Sequence, residues 1–238
     1  MEKPVLFEVD GYVALITLNR PDRHNAICRD LLKLLYDNLD EVQRNPEIRS
    51  AVITGSGRSF CSGIDLSVIG KDNILDPRGD GHDMPDVFGA CKKPIIGAVN
   101  GNAITGGFEL ALNCDFLIAS TKARFIDSHA KVGIHPGWGM TQLLQQAVGQ
   151  KMAKQLSFTC RPLCADDALR LGLVNEVVAP EALISRAMEI ARDIAEVNQE
   201  MLGRIKALIE YGNVAGHNGA LEKERQGFME FVRDAKVF

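Results

Sequence analysis

The chain has 238 residues, 46% of them hydrophobic and 24% charged, with a formal net charge of −4. That length can bury a sizeable core, and an acidic balance without a long basic run disfavours nucleic acid or an anionic membrane surface as partner. No stretch of about 18 apolar residues occurs, so no membrane span is expected. Six cysteines, Cys28, Cys61, Cys91, Cys114, Cys160 and Cys164, form no CxxC pair and lack zinc-site spacing. They read as reduced thiols, and no metal is expected. Met1-Glu2-Lys3-Pro4 carries no apolar leader and Lys236-Val237-Phe238 is not the peroxisomal tripeptide. The cytoplasm is the expected compartment.

Val5 to Glu8 and Val13 to Leu18 read as strands around a turn at Asp10-Gly11. A polar loop, Asn19 to Asn25, leads to a helix over about Arg29 to Arg44, with Leu31, Leu34, Leu35, Leu39 and Val42 on one face. Asn45-Pro46 ends it. Ser50 to Thr54 reads as a buried strand, and the Gly-, Asp- and Pro-rich run Gly70 to Asp86 as a surface loop or lid margin. Strands come next at Ile95 to Val99 and Phe116 to Ser120, flanking a helix that begins near Gly106, then a short strand at Ala123 to Ile126. Thr141 to Val148 and Ala165 to Leu171 read as helices and Leu173 to Val178 as a strand. The chain is helical from Pro180 on. The order predicts an α/β core over residues 1–179 and a helical region over 180–238.

Two segments stand out chemically. Residues 51–66 and 94–112 each run from an apolar strand through a glycine-bearing turn into an expected helix start. Free backbone N–H groups at helix starts favour anions, and two starts facing one point can stabilise an oxyanion. Gly106-Gly107 fits close backbone approach to a ligand or simple tight packing. Glu109 is either a general acid/base or a first-turn carboxylate, and Asp65 beyond Ser62-Gly63-Ile64 carries the same ambiguity. In Phe125-Ile126-Asp127-Ser128-His129 an extended backbone would set Asp127 and His129 on one face, letting the carboxylate orient the imidazole; a structural histidine is the alternative. A participating His129 should titrate near pH 6–7, around the unperturbed imidazole value of about 6.5. Trp138 reads as packing or as a pocket wall. No GxSxG elbow, P-loop or dinucleotide fingerprint is present.

The motifs Asn19-Arg20-Pro21 with Asn25-Ala26, Phe60-Cys61-Ser62-Gly63-Ile64-Asp65-Leu66, Pro94 to Gly101, Gly106 to Asp115, Gly133 to Gly139 and Ala168 to Val174 resemble the enoyl-CoA hydratase/isomerase (crotonase) family. The similarity extends from about Val5 to Leu208 and includes plant and bacterial hydratase-like members with an Asp-x-His segment. It implies a crotonase-like spiral of ββα units with a helical trimerisation region after it. It further implies an oxyanion hole from the backbone N–H groups of Ser62 and Gly106, with Glu109 activating water. His129, oriented by Asp127, stands where the family usually has a second glutamate. By the same resemblance Arg23, His24, Ala26, Ser62, Gly63, Ile64, Asp65, Gly106 and Gly107 surround the acyl-CoA. The implied activity is hydration of a 2,3-enoyl-CoA, of the kind used in β-oxidation and fatty acid metabolism, by a homotrimer or dimer of trimers. No cofactor is implied, coenzyme A being carried on the substrate. Against the family the end of the chain looks short, which suggests an altered C-terminal part of the CoA pocket. An isomerase or other enolate chemistry, and a non-catalytic or RNA-binding relative, are the alternative readings; the acidic charge and the retained Glu109 count against the last.

Overall fold

A computed structural model describes residues 3–68, 71 and 73–235. Met1-Glu2, Gly70 in the expected loop and the C-terminal Lys236-Val237-Phe238 lie outside these residues. The chain divides into two compact units, residues 1–195 and 196–238.

The first unit opens with an antiparallel hairpin of β1 (Val5–Asp10) and β2 (Val13–Leu18), and α1 (Arg29–Arg44) comes after it. A repeated pattern then begins, in which a longer strand leads to a three-residue strand and a helix. It is seen in β3 (Ser50–Gly55), β4 (Ser59–Cys61) and α2 (Met84–Ala90). It returns in β5 (Ile95–Val99), β6 (Asn102–Ile104) and α3 (Gly106–Leu112), and again in β7 (Phe116–Ser120), β8 (Arg124–Ile126) and α4 (His129–Val132). The longer strands join one sheet, in the order β1-β2-β3-β5-β7-β10, and the short strands a second, β4-β6-β8-β9. Both turns of the repeat pair in parallel, β3 with β5 and β5 with β7, as do β4 with β6 and β6 with β8. This is the expected spiral of ββα units. Helices α5 (Met140–Val148), α6 (Gln150–Thr159) and α7 (Ala165–Arg170), with β9 (Leu163–Cys164) and β10 (Glu176–Val178), complete the layers.

The central strands β3, β5 and β7 of the larger sheet are covered on both faces, which is why they read as unbroken apolar runs. Along β3, Ala51 and Ile53 face the main core with Leu31, Leu35 and Leu39 of α1. Val52 points the other way, alternation being the rule in strands, and meets α8 (Leu183–Glu196) through Leu183, Ala187 and Ala191. Ser50 Oγ donates to Ala191 O at 2.8 Å, and Arg49 reaches Ala195 O at 2.8 Å. The apolar face of α8 is thus spent inside the protomer, closing the sheet.

Three local readings change. The Gly70–Asp86 run is not loop throughout: Asp83 and Asp86 form a reciprocal capping box that starts α2 at Met84. The turn after Ser62-Gly63 leads to a single 3₁₀ turn, Leu66–Val68, and not to an α-helix. His129 opens the short α4, so Asp127 and His129 do not lie on one strand. The second unit holds α9 (Gln199–Val214), capped by Asn198 Oδ1 on Met201 N at 2.9 Å, and α10 (His217–Ala235). Among the described residues no helix is long and apolar enough to cross a membrane.

Candidate active site

The two glycine-bearing segments do converge. Gly63 has φ +86°, and a Cβ built on it would stand 2.8 Å from Ile104 O and 3.3 Å from the Gly106 nitrogen. The Ser62–Asp65 segment therefore lies directly against the start of α3. Gly107 is as tightly placed: a Cβ there would meet Cys61 O at 2.0 Å.

Which amides face the resulting space is decided by their partners. Ser62 N–H donates to His24 O at 3.0 Å, Asp65 N–H to Ile27 O at 2.9 Å, and Gly63 O accepts from Ile27 N–H at 2.8 Å. The segment is laced to residues 24–27 as a short parallel bridge, Ile27 with Ile64. Two amides lie between Ser62 and Asp65, and that of Gly63 hydrogen-bonds the Cys61 sulfur. Among the described residues none accepts from Ile64 N–H or from Gly106 N–H. This corrects the expected donor pair. Ser62 N–H is spent on His24, and Ile64 N–H is the free amide beside Gly106.

A cavity of about 200 Å³ opens there, its wall including Ser62, Ile64, Thr105, Glu109, Ser128, His129 and Trp138. Glu109 is 2% exposed. Its Oε1 accepts from Trp138 N–H at 2.9 Å and Met140 N–H at 3.2 Å. The other oxygen, Oε2, lies 3.6 Å from His129 Nε2. Asp127 and His129 are buried too, at 4% and 6% exposure. Asp127 Oδ1 accepts from His129 N–H at 3.1 Å and meets His129 Nδ1 at 2.8 Å. The carboxylate does orient the ring, but through a tight turn and not through strand alternation.

The electrostatics are set by that triad. Burial pushes the His129 imidazole down, yet hydrogen bonds and charge from Asp127 and Glu109 outweigh it, raising the pKa from 6.5 to about 9. Burial disfavours the Asp127 charge, but hydrogen bonds from His129 and the Ser157 hydroxyl prevail and hold it below the usual carboxylate value. At neutral pH the site therefore holds an imidazolium between two acidic side chains. The expected titration near pH 6–7 is displaced upward, because the ring has gained partners that favour its charge. Burial pushes the neighbouring Cys61 thiol up to about 12, so it is no nucleophile.

The remaining sequence-predicted residues divide. Asp65 is committed structurally: Oδ2 pairs with Arg20 at 3.1 Å and Oδ1 accepts from Ser67 N–H at 3.1 Å and Oγ at 2.7 Å. Hydrogen bonding from Ser67, then from Arg20, holds its carboxyl low against the cost of burial. Arg23 and His24 are exposed beside the Ser62–Asp65 segment, and His24 Nδ1 is 3.2 Å from Ser59 Oγ. Ala26 is buried, with its carbonyl held by Arg20.

The enoyl-CoA hydratase/isomerase family profile matches residues 8–237. The chain belongs to that family. An Arabidopsis thaliana protein named probable enoyl-CoA hydratase 1, peroxisomal, is 43% identical over 221 residues, covering 90% of this chain and 82% of its own. The short-chain-enoyl-CoA hydratase of Clostridium acetobutylicum is 40% identical over 230 residues, covering 95% and 88%. A crystal structure of an enoyl-CoA hydratase subunit from Geobacillus kaustophilus matches the fold with a TM-score of 0.89 at 34% identity, covering 97% of this chain and 90% of that one.

Within this hydratase/isomerase member, several site features lie outside the sequence reading. The amides of Trp138 and Met140 grip Glu109, and Trp138 is both packed, at 4% exposure, and part of the cavity wall. Glycine-flanked Trp138 hinted at a wall, but backbone donors some thirty positions away from their acceptor carry no signature of their own. Ser157, supporting Asp127, and the pair Thr105 and Ser128 had no sequence signal either.

Proposed function

We propose that this chain is an enoyl-CoA hydratase, adding water across the 2,3-double bond of an acyl-CoA thioester. The observation that carries the reading is a cavity lined by Ile64, Glu109 and His129, with the unpaired amides of Ile64 and Gly106 on one side and a buried Glu109–His129 pair, backed by Asp127, on the other. The thioester oxygen accepts from the two amides, which are fixed in place and gain strength as negative charge develops there. A water held in front of both Glu109 Oε2 and His129 Nε2, which lie 3.6 Å apart, loses a proton to Glu109 as its oxygen bonds to C3. The electron pair moves to the thioester oxygen, giving an enolate. Cationic His129, its ring fixed by Asp127, delivers the Nε2 proton to C2. Proton return from Glu109 to His129 restores the site. Atoms balance with water alone, so no cofactor is called for, and coenzyme A enters as part of the substrate. Ser62, Gly63 and Gly107 shape the oxyanion segment through their backbone, and exposed Arg23 and His24 are the proposed neighbours of the CoA moiety. Relatives named as enoyl-CoA hydratases support the same reading.

A double-bond isomerase is the second reading, favoured by one feature. Among the described residues Glu109 is the only carboxylate on the cavity wall, and one acid/base group suffices to carry a proton from C4 to C2. A panel of enoyl-CoA thioesters with product identification separates the two. Hydration yields 3-hydroxyacyl-CoA, heavier by one water. A product of unchanged mass with a displaced double bond favours the isomerase.

The assembly is proposed to be a homotrimer or dimer of trimers. Support comes from α9 and α10, where Ile205, Ile209, Val214, Phe228 and Met229 are exposed, large apolar side chains that a partner copy would cover. Free thiols throughout the described residues suit a reducing compartment, and the cytoplasm is the one proposed.

A further inference from the structure

Thr105 stands immediately before Gly106 in a conformation its side chain resists, with φ 51° and ψ −112°. A β-branched residue at positive φ is a genuine outlier. Such strain persists only where the surroundings over-determine it, and it gathers at functional sites. Every polar group of Thr105 is held. Its N–H donates to Ile126 O at 2.8 Å, and its carbonyl accepts from Phe108 and Glu109 N–H, each at 2.9 Å. Its hydroxyl is hydrogen-bonded to the Ser128 hydroxyl, at the cavity wall. The ψ angle of Thr105 sets the plane of the peptide that carries Gly106 N–H. Ser128, in turn, directly precedes His129, and its carbonyl accepts from Lys131 and Val132 N–H, each at 3.0 Å, to start α4.

The hydroxyl pair therefore joins the residue before Gly106 to the residue before His129. One end aims an amide at the thioester oxygen, and the other carries the imidazole that serves C2. These two substrate atoms are held at fixed separation by covalent geometry, so their protein partners must be as well. We propose that Thr105 and Ser128 are positioning residues, whose mutual hydrogen bond fixes the Gly106 amide relative to the His129 ring. The proposal rests on the hydratase reading for its choice of substrate atoms.

The test uses the full-length protein and crotonyl-CoA. Thr105→Val keeps the shape and removes the hydroxyl. It should lower kcat roughly 10- to 100-fold while the dissociation constant for saturated butyryl-CoA moves less than about twofold, as expected when a supporting contact lets reacting groups drift. Ser128→Ala should give the same split. The double variant should be no slower than the slower single, since both remove one bond. Thr105→Ser should restore the rate. Thr105→Gly, which relieves the strained φ, should keep the melting temperature yet share the loss of kcat, an outcome that a merely structural role does not give. Wild-type kcat in Thr105→Val and Ser128→Ala, multiplicative losses in the double variant, or no rescue by Thr105→Ser would each overturn the proposal. Should Thr105→Val fail to fold, Ser128→Ala carries the test from the other side of the bond. A wild-type protein that hydrates no enoyl-CoA would instead reject the hydratase reading. In that case the carbonyl stretch of bound butyryl-CoA decides: a wild-type downshift reduced in Thr105→Val supports the positioning role, while an equal stretch in both proteins refutes it.

Discussion

Glu109 has one oxygen tethered by backbone amides and the other turned to His129, and that asymmetry decides how its substitution should behave. Oε1 is fixed by Trp138 and Met140 amides, while Oε2 faces His129 across 3.6 Å. Glu109→Gln keeps the size and an oxygen for the two amides but cannot take a proton. Turnover should fall roughly 100- to 10,000-fold, the worth of a positioned acid/base, with acyl-CoA affinity nearly unchanged by calorimetry. Retained turnover would move the chemistry elsewhere. His129 predicts a pH profile. Its folded pKa lies at about 9, above the ordinary 6.5, so the charged ring that donates to C2 is present below that value. The rate should fall as pH rises through about 9, and Asp127→Asn should shift the fall to lower pH and reduce the rate less than His129→Ala does. Stability has the same sign: a raised folded pKa contributes stability that is complete below 6.5 and lost as pH climbs through about 9. Thermal melts of His129→Gln should lose that dependence. A wild-type rate that changed only near pH 6–7 would show that Asp127 and Glu109 do not hold the charge on the ring.

Elements meet here at distances that leave no room for a methyl group. Gly107 brings the first turn of α3 onto β4, where a Cβ would meet Cys61 O at 2.0 Å and Cys61 C at 2.6 Å. Backbone must move if Ala is placed there, costing about 1–3 kcal/mol as overpacking does, and the movement parts Gly106 from Ile64. Gly107→Ala should lower both the melting temperature and kcat, read by calorimetry and by the hydration assay; an unchanged kcat would show that the two amides need not be held together. The element scale is also where the sequence is most and least readable. α1 is legible to the residue from its long helical period, and β5 and β7 from short continuous apolar runs bounded by polar turns. β4 and β6, three residues each, are too short for any period to register. α2 hid in a Gly- and Pro-rich run, although Asp83 and Asp86 spelled its start. At the site, Glu109, His129 and Asp127 could be named from residue type and motif. The choice of Ile64 over Ser62 as donor could not, because it depends on which amides the distant residues 24–27 consume.

The whole molecule owes its active site to the repeat. Each turn of the spiral sends a long strand into the covered sheet and a short one into the second sheet. The segments that leave β4, β6 and β8 are thereby stacked side by side, and they carry Ile64, Gly106 and His129 respectively. Because α8 spends its apolar face on the sheet, the proposed assembly draws on other surface. Ile205 and Ile209 are one turn apart on α9, at 47% and 68% exposure. Ile209→Asp should shift the mass measured by light scattering toward the monomer while leaving the far-ultraviolet spectrum unaltered; an unchanged trimer would move the interface off this face. Water addition driven by Glu109 is read out by heavy-oxygen water. Wild-type protein incubated with crotonyl-CoA in labelled water should give 3-hydroxybutyryl-CoA with the label at C3, and Glu109→Gln should bind the thioester yet form that product at a small fraction of the rate. A product with a displaced double bond and no label, or equal labelling rates in both proteins, would contradict it.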